Sequence, residues 1–260
     1  MQNIEITIDK QGVALLALNR PEVLNALNVP LLEELCQALR ELATDEKLGA
    51  LVLTGRGRGF CAGADLSGLG QAVAPGDSIG QIVSAQMQSH FNPAMELLYH
   101  FPRPTVCAIN GIAAGGGAAI ALCADIVMAS PDAAFKFVQV QQLGIVADLG
   151  ANWLLPRIVG RSRALGACLL GDSLKAAKLQ EWGLVWECVD ADQLLPRALE
   201  VGSRLAAVPA ATVLATRQII DTASENSFPA ALEQERLAQR ELCDLPVFSE
   251  SVARFLSKQM

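Results

Sequence analysis

The apolar positions change period along the first sixty residues, and each change marks an element. Residues 4–8 (IEITI) alternate apolar and polar side chains, while 13–18 (VALLAL) are continuously apolar; with DKQG between them they predict a β-hairpin. Beyond NRPEVLNALN the period lengthens: Leu31, Leu32, Leu35, Leu39 and Leu42 recur at helical spacing, and Asn28 stands where it can cap that helix. GALVLTG (49–55) is short and apolar, a buried strand. The pattern then repeats with a Pro/Gly/Ser-rich stretch over 67–80, a helix over roughly 82–100, the strand TVCAI (105–109), a glycine-rich turn, a small-residue helix to about 123 and the strand DIVMA. Strands alternating with helices imply a parallel sheet with crossover connections, hence an α/β fold. From 160 onward the spacing is helical: RSRALGACLL, SLKAAKLQEWG, ADQLLPRALEVGSRLAAV, then 209–224, 228–243 and 246–257, with LVWECV the one strand. This divides the chain into a core over 1–195 that carries the site and a helical region over 196–260, of the kind that packs on a partner subunit.

Composition narrows what such a fold does. The 260 residues are 52% hydrophobic and 18% charged, globular values with enough apolar side chains for a large core. The net charge is −7 and the basic residues form no long run, which argues against a nucleic-acid partner. Seven scattered cysteines, no Cys-x-x-Cys pair and two histidines predict a reducing cytoplasm and no metal site. TVCAINGIAAGGGAAIALCA (105–124) is uncharged over a bilayer's length, yet its asparagine and glycines suit a buried strand, turn and helix better than a span, so no membrane partner is expected. MQNIEITIDK lacks the apolar stretch of a signal peptide.

Three features could carry chemistry. Two glycine-rich turns, GRGRGFCAGADL (55–66) and NGIAAGGGAAIAL (110–122), each follow a buried strand, and neither matches G-x-G-x-x-G or the lysine-ending phosphate loop. Their glycines either permit tight strand-to-helix packing or let the backbone approach a ligand, in which case two N–H groups could converge on one oxygen as an oxyanion hole. GDSIG (76–80) has the form of a serine-hydrolase elbow, but no strand precedes it and no histidine follows the acid it would need, so Ser78 reads as a loop residue. Cys61 has no histidine near it in sequence and reads as a small core residue rather than a nucleophile. The third feature is GIVADLGANWLLPRIVG (144–160), where Asp148 stands alone among apolar residues; such an acid is paired, caps the following helix, or is used in chemistry. Apolar Val146, Leu149 and Trp153 would raise its pKa if they surround it.

NRPEVLNALN, GRGRGFCAGADL, AINGIAAGGGAAIALCADIVMAS and LGIVADLGANWLLPRIVGRSRA occur in the order and spacing of the enoyl-CoA hydratase/isomerase (crotonase) superfamily, which the chain resembles over nearly its whole length. The resemblance implies a spiral of ββα repeats with a helical C-terminal region that builds homotrimers or homohexamers, acyl-CoA thioesters as substrates with coenzyme A as part of the substrate and no separate cofactor, and an enolate held by the N–H groups of Ala64 and Gly116. It also implies contacts to coenzyme A from Arg56, Arg58, Ala62, Phe255 and Lys258. Where hydratases of this family carry two glutamates, this chain has Ala119 and either Val140 or Gln139, one extra residue falling between Phe135 and Gly144. None of these can serve as a general base, so ordinary hydration is not expected. Asp148, with WLLPR after it, resembles the isomerase subgroup that converts ring-1,2-epoxyphenylacetyl-CoA to oxepin-CoA and shifts 3-enoyl-CoA to 2-enoyl-CoA; Ala147 and Ala151 depart from its pattern. A 4-chlorobenzoyl-CoA dehalogenase-like activity would need a tryptophan eight residues before the aspartate, where Val140 stands. A non-catalytic acyl-CoA-binding subunit is the alternative of another class.

Overall fold

The structure, a computed structural model, describes residues 1–68 and 78–257. Lys258 and most of the Pro/Gly/Ser-rich stretch lie outside the described residues. Strands β1 (Ile4–Ile8) and β2 (Val13–Leu18) form the expected antiparallel hairpin. β2 then pairs in parallel with β3 (Ala50–Gly55), and the sheet continues in parallel through β4 (Thr105–Ile109). The crossover between β2 and β3 is helix α1 (Val29–Thr44), whose first turn is capped by the Asn28 side chain accepting from the Leu31 N–H at 3.0 Å. Its leucines are buried on the face that meets the sheet.

Between β3 and β4 the chain is helical over 79–99, as α2 (Ile79–Gln86), a π-helical turn (Met87–Phe91) and α3 (Asn92–Tyr99). After β4 a short strand, β5 (Ile112–Ala114), leads into α4 (Gly116–Leu122), and β6 (Ile126–Ala129) adds to the main sheet beside β4. The uncharged run 105–124 is thus β4, β5 and α4, all in the interior. No single helix among the described residues is long and apolar enough to cross a membrane.

β5 starts a second, three-stranded sheet with β7 (Ala134–Lys136) and β8 (Leu174–Lys175). Periodicity misses this sheet because its strands are two or three residues long, too short to display alternation. LVWECV contributes only β9 (Glu187–Cys188), at the far edge of the main sheet. α5 (Ala151–Leu170) packs on α4 and on residues 139–143, α6 (Ala176–Glu181) lies beside β9 and the second sheet, and α7 (Leu194–Ala206) lies across the main sheet, its Leu194, Ala198 and Val201 packed on Val13, Val52 and Val106. α8 (Ala210–Thr222), α9 (Phe228–Cys243) and α10 (Pro246–Ser257) follow and bury no side chain of their own.

The two sheets are joined where the glycine-rich turns meet. A parallel bridge pairs Cys61 with Ala113, with Ala114 N–H donating to Cys61 C=O at 2.9 Å and Cys61 N–H to Ile112 C=O at 3.0 Å. Gly117, the second residue of α4, faces that same Cys61 carbonyl so closely that a Cβ there would overlap it. Replacing Gly117 with alanine is therefore expected to force the turns apart and to cost about 1–3 kcal/mol, the usual range for overpacking. Urea unfolding of Gly117→Ala beside wild type checks this, and equal midpoints would show that the contact carries no stability.

Candidate active site

Beneath the joined turns lies a cavity of about 190 Å³ whose lining includes Ala62, Gly63, Ala64, Gly116, Gln139 and Asp148. The first turn is fixed from behind by NRPEVLNALN. The buried Asn25 amide donates to the carbonyls of Arg56, Gly59 and Phe60 at 2.9–3.0 Å and accepts from the Arg20 N–H at 2.8 Å. Arg20 in turn pairs with Asp65 at 3.0 Å. Leu27 N–H donates to Gly63 C=O at 2.7 Å and Asp65 N–H to Leu27 C=O at 2.9 Å. In such a bridge successive N–H groups point to opposite sides, so the Ala64 N–H between them is turned away and has no backbone acceptor among the described residues.

Gly116 occupies the first position of α4, where an N–H has no partner within its helix, and it too has no backbone acceptor among the described residues. The two positions are adjacent: a Cβ on Gly63 would lie 3.4 Å from the Gly116 nitrogen and 2.7 Å from the Ala114 carbonyl oxygen. Gly63 also has φ +90°, so a side chain is excluded there by space and by conformation together. Two donors thus face one cavity from neighbouring turns, the geometry that suits a developing oxyanion.

Asp148 does not cap α5. Leu149 (φ 54°) and Gly150 (φ 84°) are both left-handed, which moves the helix start to Ala151 and places Gly150 at the cap position. Only the Asp148 main-chain carbonyl serves the helix, accepting from Ala151 N–H at 3.0 Å. The carboxylate is left half-buried in the cavity, where loss of water raises its pKa; a 3.1 Å hydrogen bond donated by Gln139 Nε2 opposes that shift. The apolar neighbours differ from those expected. Leu149 is buried and lines the cavity, but Val146 is 72% exposed and Trp153, packed edge-on against Tyr99 and under Arg157, faces elsewhere. Phe91, Met87, Val83, Val138, Leu143 and Ile145 supply the apolar wall instead.

Residues 139–143 form a π-helical turn, which absorbs one extra residue. The turn directs Gln139 into the cavity and leaves Val140 packed against the core, so Gln139 is the residue that faces Asp148. Ala119 is buried within α4. Of the other residues singled out from the sequence, Ala62 lines the cavity. Arg56, Arg58 and Phe255 do not; Arg56 donates from Nε to Glu5 at 2.7 Å and Phe255 is exposed on α10. Cys61 is fully buried, its thiol pushed up to about 12 by loss of water while Sγ donates to the Asn25 carbonyl, so it is no nucleophile. A larger groove of about 540 Å³ lies between α5 and α8, around Trp153, Arg157 and Arg217, but it includes neither glycine turn.

Comparison with known proteins gives the family and the fold. The family model for enoyl-CoA hydratase/isomerase matches residues 9–260, and the chain belongs to that family. It is 39% identical to the 1,2-epoxyphenylacetyl-CoA isomerase of Escherichia coli (strain K12), over 96% of this chain and 94% of that protein. It is 33% identical to the 2,3-dehydroadipyl-CoA hydratase of the same strain, over 96% and 94%. The crystal structure of an enoyl-CoA hydratase from Bacillus anthracis superposes with a TM-score of 0.89 at 29% identity, covering 99% of this chain and 97% of that one. The fold is accordingly the crotonase fold, and the chain is an enzyme of the enoyl-CoA hydratase/isomerase type.

The desolvated carboxylate has a consequence for stability. Its folded pKa lies above the unfolded value, about 3.9 for a free aspartate, so ionisation opposes folding as pH rises through that window and the full penalty is present above it. Asp148→Asn is expected to melt higher than wild type at neutral pH, with the difference shrinking as pH falls through the folded pKa and gone below the unfolded value. Calorimetric melts across pH check this; a difference independent of pH would mean the charge is not the cause.

Proposed function

We propose that this protein is an acyl-CoA isomerase in which one carboxyl group, Asp148, moves a proton within the acyl chain. The observation that carries this reading is the composition of the cavity. Among the described residues it holds one carboxylate of raised pKa and two N–H groups without an acceptor, and the other described acid in its lining, Asp65, is held by Arg20 and Ser67.

For a 3-enoyl-CoA, an Asp148 carboxylate oxygen takes a proton from the carbon between the thioester and the double bond. The released electron pair shifts onto the thioester oxygen, which accepts hydrogen bonds from Ala64 and Gly116 N–H. The electrons then return through the conjugated system, the carbon at position 4 takes the proton back from the Asp148 carboxyl, and the double bond stands at position 2. No water is consumed and the carboxylate is regenerated. The raised pKa suits a group that must hold a proton between the two transfers. Ring-1,2-epoxyphenylacetyl-CoA is proposed as the alternative substrate, supported by the similarity to the Escherichia coli isomerase.

The coenzyme A portion is proposed to run past Ala62, with Arg56, Arg58, Phe255 and Lys258 contacting it. A trimer or hexamer is proposed for the assembly, because Ile220, Phe228 and Phe255 are 67%, 76% and 63% exposed on the last three helices. Sedimentation equilibrium is expected to give the mass of three or six chains; a monomer would contradict it.

The catalytic reading predicts that Asp148→Asn lowers kcat on a 3-enoyl-CoA by about 10²- to 10⁴-fold. Affinity for an unreactive acyl-CoA, followed by calorimetry, should stay within about threefold, since the N–H groups remain. Wild-type turnover by the variant would remove Asp148 from the mechanism, and loss of binding would show that its role is not separate from the oxyanion contacts.

A further inference from the structure

One polar side chain in the cavity has no part in the steps above. Gln139 is only 5% exposed. Its Nε2 donates to Asp148 Oδ1 at 3.1 Å, whereas its Oε1 is buried and has no hydrogen-bond partner among the described residues. The amide lies against the residue that precedes α4, where a Cβ on Gly115 would come 3.3 Å from Nε2 and 3.8 Å from Oε1. A buried carbonyl oxygen left unpaired is disfavoured, so a donor arriving at some stage of the reaction would account for it.

A carboxylate only accepts hydrogen bonds, but the same group once protonated also donates one. An acid that takes a proton and then returns it needs a neighbour able to serve both forms. An amide carries a donor and an acceptor on one planar group, and rotation about its last side-chain bond, a soft torsion, exchanges them. We propose that Gln139 is a positioning residue for Asp148: Nε2 holds the carboxylate before proton transfer, and Oε1 accepts from the protonated carboxyl after it. Between the two transfers the new O–H rests on Oε1, and it turns from there to the acyl chain when the proton is returned, so the acid is held in place in both of its forms. This inference rests on Asp148 being the proton carrier.

Few other groups can mimic the effect. Among the described lining residues the first turn contributes Asp65, bound to Arg20, and no other residue of that turn, of the second turn with α4, of segment 79–91 or of segment 138–149 carries a titratable side chain into the cavity except Asp148 itself.

The test compares wild type, Gln139→Met, Gln139→Glu and Asp148→Asn on a 3-enoyl-CoA across pH. Methionine keeps the length of the side chain and supplies neither donor nor an effective acceptor. Gln139→Met is expected to lower kcat about tenfold, with KM within about twofold of wild type. It should also move the acid limb of the kcat profile upward, because the bond lost from the carboxylate is charge-assisted and outweighs the neutral one lost from the protonated form. Gln139→Glu places a like charge beside Asp148 and should move the limb further upward, which keeps the test decisive if the methionine variant does not fold. A packing role alone would change the melting temperature or KM and leave the acid limb in place. A wild-type kcat with an unmoved limb in the glutamine variants overturns the proposal. If Asp148→Asn is inactive while that happens, only the role of Gln139 falls; if Asp148→Asn turns over normally, the reading of Asp148 falls and this one with it.

Discussion

The site depends on one close approach of backbone to backbone, the meeting of the two glycine-rich turns at Cys61 and Ala113. β3 and β4 are adjacent parallel strands, so the turns that follow them emerge side by side. Adjacency alone would leave them a side chain apart. Gly63 and Gly117 remove that spacing, and the bridge hydrogen bonds then lock the turns in register, with the Ala64 and Gly116 N–H groups facing the same cavity. Donors held by backbone in this way need no reorganisation when charge develops, the condition under which an oxyanion contact is most effective. The cost is borne in the core: α4 must open on small residues, Gly116 to Ala119, and the Asn25 amide must be buried to hold the first turn from behind.

The acid is left in the cavity by a second backbone device. Left-handed Leu149 and Gly150 deny Asp148 the helix cap that its sequence position invites. A capping carboxylate would receive N–H donors and have a lowered pKa, unsuited to accepting a proton from carbon. In the cavity the same side chain has one amide donor and a largely apolar wall, and desolvation dominates. Stability is thus lower at neutral pH than it would be with a neutral side chain, a familiar feature of sites tuned for function.

The main sheet, its hairpin edge and the long helices were legible from hydrophobic period, because those elements are long enough to repeat and bury a whole face. β5, β7 and β8 were not, being short strands inside segments whose glycine and alanine content masks any alternation. Within the site, the two turns and Asp148 could be singled out from sequence, but two answers needed coordinates. Capping was open for Asp148 until the signs of two backbone torsions excluded it. Gln139 was visible only as a position where a glutamate was missing; its signal was the extra residue before Gly144, which the π-helical turn turns into an amide directed at the acid.

The central claim is that one carboxyl and two backbone donors move a proton within an acyl-CoA without adding water. Mass spectrometry of the product formed by the wild-type enzyme from a 3-enoyl-CoA in isotopically labelled water, carrying heavy oxygen in one arm and deuterium in the other, tests it most directly. The account predicts an isomer of unchanged composition, with no heavy oxygen and with any deuterium confined to the carbons that exchange with Asp148. A product heavier by one water and carrying the heavy oxygen would contradict it.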